Sequence, residues 1–365
     1  MKTVLFEVQH LYYLPQFLPI ITELSSRTNY KIYISISHFS STEEKTKFLT
    51  SLTSPEITII LGSSESGRIV QCHNLSPDII FIGNKGNIKK IASNNSLVVM
   101  VYHGIGLKQS YYNDISNRVD IIAVESQERF NQLISKNFNK SKLVLSGFPK
   151  LDPLFKENSQ QTSKFSQNLG LNPKKKTILY TPSFYPSSIE KVLKKLIEVD
   201  FHFNLLIKLH QFSWTKKKYS EHIKLAASLD KKENVCLLPL EEFNIIPYFK
   251  VADLMISDIS STLFEYIILN RPIIQVLSLS LRKKHRIFPF LIRKRLDYNR
   301  MTSVNFTTQI SDVKNLLDVI KHNLDNPEIG YSERKNALNY FHFSPDGLAS
   351  KRLIDAIEKK LRVKQ

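Results

Sequence analysis

Short runs of β-branched and apolar residues recur along the chain, and each is followed by a stretch with apolar positions at helical spacing. The pattern predicts strands at Thr3–Val8, Lys31–Ile36, Ile57–Leu61, Asp78–Ile82, Leu97–Tyr102, Asp120–Val124 and Lys142–Leu145. A second set is predicted at Thr177–Thr181, Phe203–Leu209, Asn234–Leu238, Asp253–Ser257 and Pro272–Val276. These runs are continuously apolar rather than alternating, as in parallel sheets covered on both faces. Between them Gln127–Lys136, Ile189–Glu198 and Thr262–Leu269 predict helices that complete βαβ units. The fold class is therefore α/β, with two Rossmann-like domains expected to face a cleft. Their expected limits are 1–160 and 175–345. The polar segment 155–176 carries no strand pattern and reads as the linker. The stretch from Gly347 to about Arg362 is amphipathic, so 346–365 is expected to be a helix across the domain junction.

Composition narrows this picture without redirecting it. The 365 residues are 42% hydrophobic, 10% aromatic and 23% charged, the make-up of a folded chain. No run reaches the roughly 18 apolar residues of a membrane-spanning helix. The start, MKTVLFEVQH, takes a charge at Glu7 and reads as a first strand rather than a secretory leader. Cys72 and Cys236 lie far apart with no Cys/His cluster around them, which argues against a disulfide framework or a zinc site and for the cytoplasm. The Gly-x-Gly-x-x-Gly fingerprint is absent among the ten glycines, which disfavours a nicotinamide enzyme.

Charge changes the picture more. A formal net charge of +18 calls for an anionic partner. In the window 281–300 eight Lys or Arg stand against one Asp, interleaved with Phe288, Phe290, Leu291 and Ile292. Arg282, Lys283, Lys284, Arg293, Lys294 and Arg295 around Phe288 and Phe290 suit an anionic membrane surface, cations on headgroups and aromatics at the acyl boundary. A solvated basic loop reads from the same residues. No RNA-recognition, KH or zinc-finger signature accompanies the charge, so no nucleic-acid partner is expected.

Three places carry chemistry at predicted strand ends, where α/β sheets bind ligands. In Ser257-Asp258-Ile259-Ser260-Ser261 a strand gives way to a helix, and hydroxyls with helix-terminal N–H groups offer a phosphate cradle. Glu265, one helical turn on, is placed for a ribose hydroxyl. The same residues read as an ordinary N-cap with Glu265 on the surface. In Tyr102-His103-Gly104-Ile105-Gly106-Leu107-Lys108 a histidine at a strand end precedes glycines that admit a ligand to the backbone. That placement suits a general base, and equally a hydrogen-bonded structural histidine. In Lys208-Leu209-His210 strand alternation sends Lys208 and His210 the same way.

These segments, in order with Gly147-Phe148-Pro149-Lys150-Leu151-Asp152, Ile178-Leu179-Tyr180-Thr181-Pro182-Ser183 and Asp346-Gly347-Leu348-Ala349-Ser350, form a series of six. The series resembles the CDP-glycerol glycerophosphotransferases that prime and polymerise teichoic acids, over about residues 97–355. The resemblance implies a GT-B fold, peripheral attachment to the inner membrane face, and transfer of glycerol phosphate from CDP-glycerol with release of CMP. It implies that His103 and His210 are the catalytic pair, that Asp258, Ser260 and Ser261 belong to the donor site, and that 1–160 is the acceptor domain and 175–345 the nucleotide-donor domain. The role of Asp258 there stays open, ordering the loop or orienting a histidine being its other readings. Gly104, Lys108, Pro182, Lys208, Ser257 and Glu265 complete the expected substrate-binding set. Tyr102, Ile105, Gln211, Glu265 and Leu348 stand where the family more often has Trp, Thr, Pro, Asp and Lys. These departures leave open which alditol is carried and which polymer or lipid-linked acceptor receives it. With no Asp-x-Asp cluster, no protein-bound metal is expected, and magnesium enters only with the diphosphate. Two rivals remain: a nucleotide-sugar glycosyltransferase of the same fold, and a non-catalytic protein that binds anions or nucleic acid.

Overall fold

The computed structural model describes residues 1–38, 42–51, 57–105, 112, 115–156, 159–288, 290, 301 and 303–363. They form two compact units. The first comprises Met1–His103, Ser110–Lys156 and Asn339–Gln365, and the second comprises Gly104–Gln109 and Glu157–Leu338.

In the first unit seven strands make one sheet: β1 (Lys2–Val8), β2 (Tyr30–Ile36), β3 (Ile57–Ile60), β4 (Ile79–Ile82), β5 (Leu97–Val101), β6 (Ile121–Val124) and β7 (Leu143–Leu145). Their order is β3-β2-β1-β4-β5-β6-β7, and every neighbouring pair is parallel. The second unit repeats the plan with β8 (Thr177–Tyr180), β9 (Asn204–Ile207), β10 (Val235–Leu237), β11 (Leu254–Ser257), β12 (Ile273–Val276) and β13 (Thr308–Ile310). Its order is β10-β9-β8-β11-β12-β13, again parallel throughout. Each sheet thus reverses direction once, between β1 and β4 and between β8 and β11. That is where doubly wound sheets open a crevice at their carboxyl edge.

The apolar runs become strands for the reason their pattern suggests. Every residue of β4, β5, β6, β8, β9, β11 and β12 is buried, so neither face meets water, and the few polar positions, such as Asn204 and Gln275, are hydrogen-bonded. Twelve of the thirteen strands lie where the pattern predicts them. The exception is β13, whose sequence Thr-Gln-Ile is mostly polar because it closes the edge of its sheet and buries only Ile310 fully. The segment read as a featureless linker holds a helix, Ser159–Asn168. Its sequence is nearly all polar, and it docks through Phe165, whose ring meets Tyr248 edge-on at 5.1 Å.

The C-terminal helix, Ala349–Val363, belongs to the first unit. Its apolar face, Leu353, Ile354 and Ile357, is fully buried. Asp152 caps its start by accepting from the amides of Ala349 (3.0 Å) and Ser350 (2.8 Å). Further along, Arg27 pairs with Asp355 at 2.7 Å and Glu358 at 3.0 Å. Gly147 lies at φ +85°, and a Cβ there would stand 2.8 Å from the Phe343 carbonyl, so the chain leading to this helix needs a glycine. Two of the six sequence motifs therefore meet as one structural joint.

One charge lies inside the first sheet. Glu7, on β1, is bound bidentately by the fully buried Arg68, at 2.6 and 2.9 Å. Arg68 also holds Glu65 (2.6 Å) and Ser35 (2.5 Å). That guanidinium, with amide and hydroxyl donors from His38 and Ser37, holds the Glu65 carboxyl down to about 2 despite its partial burial. Breaking such a pair by removing one partner costs about 3–5 kcal/mol, because the other charge stays buried. The network ties β1, β2 and the helix Glu65–Asn74 together below the carboxyl edge of the sheet.

Candidate active site

The candidate residues of the second unit gather at the carboxyl ends of β8, β9 and β11. Asp258, just past β11, has no exposed surface. Its Oδ1 accepts from the Ser183 amide at 2.7 Å, and its Oδ2 from the Ser188 amide (2.8 Å) and hydroxyl (2.9 Å). Burial pushes its carboxyl above the usual range, and these donors work against that rise. The sequence reading set Asp258 in the donor site and left its role open, ordering of the loop included. Its oxygens accept from the loop after β8, so it fastens Pro182–Ser188 in place, with Pro182 itself buried.

Ser257 is equally enclosed and donates to the Thr181 carbonyl at 2.6 Å. The Thr262 hydroxyl lies 3.0 Å from Thr181 Oγ1, 3.2 Å from Ser257 Oγ and 2.9 Å from Ser260 Oγ. Ser260 Oγ also accepts from the Thr262 amide at 3.3 Å. Among the described residues Ser261 Oγ makes no hydrogen bond, and Ser261 is half-buried. The expected long helix Thr262–Leu269 is a five-residue helix, Thr262–Tyr266, followed by a tighter turn, Ile267–Leu269. Asn270 stops it in the left-handed conformation at φ +49°. So short a helix has little macrodipole, and what the loop presents is hydroxyls.

Glu265 is fully buried, not on the surface as the plain N-cap reading required. Gly104, which groups with the second unit, faces it: a Cβ on Gly104 would stand 3.1 Å from Ser261 Oγ and 3.8 Å from Glu265 Oε1. Ser261, Glu265 and the bare backbone of Gly104 therefore border one spot.

Lys208 and His210 follow β9, which ends at Ile207, two residues earlier than the pattern predicts. Alternation survives the break: Leu209 is buried, while Lys208 and His210 are partly exposed. The His210 ring lies 4.7 Å from Phe184, in the loop that Asp258 holds, and 5.1 Å from Phe212. Its Nδ1 accepts from the Phe212 amide at 3.1 Å. A neutral His210 therefore carries its proton on Nε2.

In the first unit His103 follows β5. Its Nδ1 lies 3.4 Å from the carbonyl of Gly83, the residue after β4. A carbonyl only accepts, so Nδ1 carries the proton and a neutral His103 presents a lone pair at Nε2. The backbone sets opposite tautomers on the two histidines.

Lys108, Arg293, Lys294 and Arg295 lie outside the described residues, as does the side chain of Lys284. The basic segment before them divides in two. Arg282, counted in sequence with the membrane-facing cations, is half-buried between two rings, 4.3 Å from the centre of Tyr185 and 5.2 Å from Tyr219. Its amide donates to the Tyr185 hydroxyl at 3.1 Å, and that hydroxyl lies 2.5 Å from His285 Nδ1. Lys283 and Arg286 are exposed, as are Ile287 (68%), Phe288 (49%) and Phe290 (53%). No helix among the described residues is long and apolar enough to cross a membrane.

Sequence reasoning missed Phe184 and Gly83, and it held Thr181 in a motif and Thr262 in the hydroxyl cluster without a role of its own for either. The two threonines were visible as polar residues at element ends. Phe184 and Gly83 gave no signal, since each acts through a neighbour distant in sequence.

Two units, each an all-parallel sheet of this order with polar groups at its carboxyl ends, make a fold of the GT-B type. The profile of the family described as CDP-Glycerol:Poly(glycerophosphate) glycerophosphotransferase matches residues 79–359, and the chain belongs to that family. The teichoic acid glycerol-phosphate primase of Bacillus subtilis is 28% identical over 170 residues, 45% of this chain and 41% of that protein. The teichoic acid poly(glycerol phosphate) polymerase of Bacillus spizizenii is 30% identical over 145 residues, 37% of this chain and 35% of that protein. The aligned stretches thus span less than half of either relative. Among solved structures, the wall teichoic acid polymerase TagF soaked with CDPG matches with a TM-score of 0.73 at 17% identity, over 100% of this chain and 90% of that one. UDP-bound MnaA of S. aureus matches at 0.63 and 17%, over 99% and 97%.

The Asp258 geometry yields a test. In Asp258→Asn either orientation of the amide turns an NH2 toward a backbone N–H of Ser183 or Ser188. Denaturant unfolding of the second unit is expected to show a loss of about 1–3 kcal/mol, with faster proteolysis in 182–188. Unchanged stability and proteolysis would contradict the fastening role.

Proposed function

We propose that the chain transfers glycerol phosphate from CDP-glycerol to a hydroxyl of a polymer or lipid-linked acceptor and releases CMP. Family membership supports the donor, and the opposed histidine tautomers carry the mechanism. His103, with its lone pair at Nε2, takes the proton of the acceptor hydroxyl as that oxygen bonds to the glycerol-bearing phosphorus. The bond from this phosphorus to the bridging oxygen breaks, and the electron pair leaves on CMP. His210, with its proton at Nε2, donates to a phosphoryl oxygen or to the departing phosphate, and Lys208 beside it adds positive charge. Phosphoryl transfer asks mainly for this kind of positioning and charge stabilisation. The Ser261 hydroxyl takes a diphosphate oxygen, with Ser260 at its side. Glu265 accepts from a ribose hydroxyl, and Gly104 keeps that approach clear. Lys108 neutralises phosphate. Ser257 and Asp258 shape the pocket from beneath, and Pro182 sits in the loop they hold.

The reading extends to where the protein works. Exposed Ile287, Phe288 and Phe290 beside Lys283 and Arg286 support docking on the anionic inner face of the cell membrane, peripherally and from the cytoplasm. Lys284, Arg293, Lys294 and Arg295 extend the basic flank in sequence. Arg282 anchors this segment to Tyr185 and Tyr219 rather than to lipid.

Incubation with a panel of CDP-alditols is expected to release CMP, fastest with CDP-glycerol. His103→Ala and His210→Ala are each expected to lower that rate at least about 100-fold with unchanged circular dichroism. Near-wild-type turnover in either variant contradicts the mechanism, and release of a nucleoside diphosphate points to glycosyl transfer. For the membrane, flotation with vesicles containing anionic lipid is expected to weaken in Phe288→Ser/Phe290→Ser and in high salt. Unchanged flotation of the variant would remove the docking role.

A further inference from the structure

Something has to hold the His103 ring in the orientation that gives it its tautomer. The Gly83 contact is long, and His103 sits on irregular chain after β5 rather than on a helix or strand. An imidazole free to turn would keep neither its partner nor its lone-pair direction.

The aromatic rings around it constrain its plane. Tyr13 stacks on His103 with centroids 4.3 Å apart and planes 24° from parallel. Tyr12 approaches edge-on at 5.8 Å, and Tyr102 packs at 4.4 Å. Tyr13 is itself almost wholly buried, on the single turn Leu11–Tyr13 that follows β1. Its hydroxyl oxygen accepts from Asn84 Nδ2 at 3.1 Å and from the Tyr12 hydroxyl at 3.2 Å. Asn84 follows Gly83 in the chain, so one turn after β4 both clamps the phenol and supplies the carbonyl for His103. A Cβ on Gly83 would lie 3.1 Å from Tyr13 Cδ2, which leaves no slack between ring and turn. Behind them His10 stacks on Tyr12 at 5.3 Å and meets Tyr13 edge-on at 5.5 Å.

We propose that Tyr13 is the positioning residue of His103: stacked on the imidazole and pinned by Asn84, it holds Nδ1–H on the Gly83 carbonyl and so keeps the lone pair on Nε2. Tyr13 itself transfers no proton. The proposal rests on the reading of His103 as the base only for its effect on turnover. Its geometric half stands without that reading. Removing the stack frees the ring, and the proton redistributes to Nε2, where it blocks the lone pair. Removing only the hydroxyl keeps the stack.

The test has two arms on the full chain. In 15N NMR of histidine-labelled protein, with His103 assigned by its loss in His103→Gln, wild type is expected to show the neutral ring protonated at Nδ1. Tyr13→Leu is expected to shift the pattern toward Nε2, and Asn84→Ala and Tyr13→Phe, which lose the same hydrogen bond but keep the stack, each to shift it in part. A wild-type ring protonated at Nε2, or a wild-type pattern in both Tyr13→Leu and Asn84→Ala, overturns the proposal. If Tyr13→Leu does not fold, Asn84→Ala decides it. In the second arm, CMP release from CDP-glycerol is expected to fall about 100-fold in kcat in Tyr13→Leu with KM within two-fold, and to survive in Tyr13→Phe. An unchanged kcat, or an equal loss in Tyr13→Phe, overturns it. Absence of CMP release in wild type would refute the transferase reading alone, since the first arm does not depend on turnover.

Discussion

The buried carboxylate of Asp258 is the interaction on which the second unit's carboxyl edge depends. Where the strand order reverses between β8 and β11, the chain leaves both strands and must turn through space that water does not reach. Backbone amides in such turns need acceptors, and an unsatisfied one costs about 1–3 kcal/mol. Asp258 satisfies two amides and a hydroxyl of the loop after β8 from a single side chain. That loop carries Phe184, against which His210 packs, so the carboxylate also fixes one wall of the histidine. Thr262, bridging Thr181, Ser257 and Ser260, closes the same turn from the other strand.

The first unit solves the corresponding problem with rings instead of a carboxylate. At its own reversal, between β1 and β4, Tyr13 and Asn84 hold His103 beside the Gly83 carbonyl. The buried Arg68 network keeps β1 and β2 in register beneath that edge. In both units the chemistry falls on short irregular segments, and its precision comes from what the sheet ends provide. The backbone then does something neither side chain could do alone: by offering a carbonyl to His103 and an amide to His210, it makes one ring an acceptor and the other a donor.

Much of this was legible in the sequence, and the limits have physical causes. The strands showed because burial on both faces demands unbroken apolar runs. β13 did not show, because an edge strand with one fully buried residue carries no such run. The helix Ser159–Asn168 was hidden because its docking rests on Phe165. His103, His210 and the Ser257–Ser261 loop stood out as polar residues at strand ends. Their division of labour did not, since the role of Asp258 stays open until its partners 75 and 70 residues away are seen. Arg282 looked like one more cation in a basic run, and only Tyr185, 97 residues earlier, sets it apart. Tyr13 drew no reading of its own, because nothing in its neighbourhood in the chain announces His103.

The central claim is that a phosphorus–oxygen bond of a cytidine diphosphate is exchanged for a bond to an acceptor hydroxyl. 31P NMR of CDP-glycerol with the wild-type protein and a polyol-phosphate acceptor observes that exchange directly. The account predicts that the two coupled diphosphate resonances give way to a CMP monoester and a new phosphodiester in equal amounts. Persistence of the diphosphate, or its appearance intact in free CDP, would contradict it.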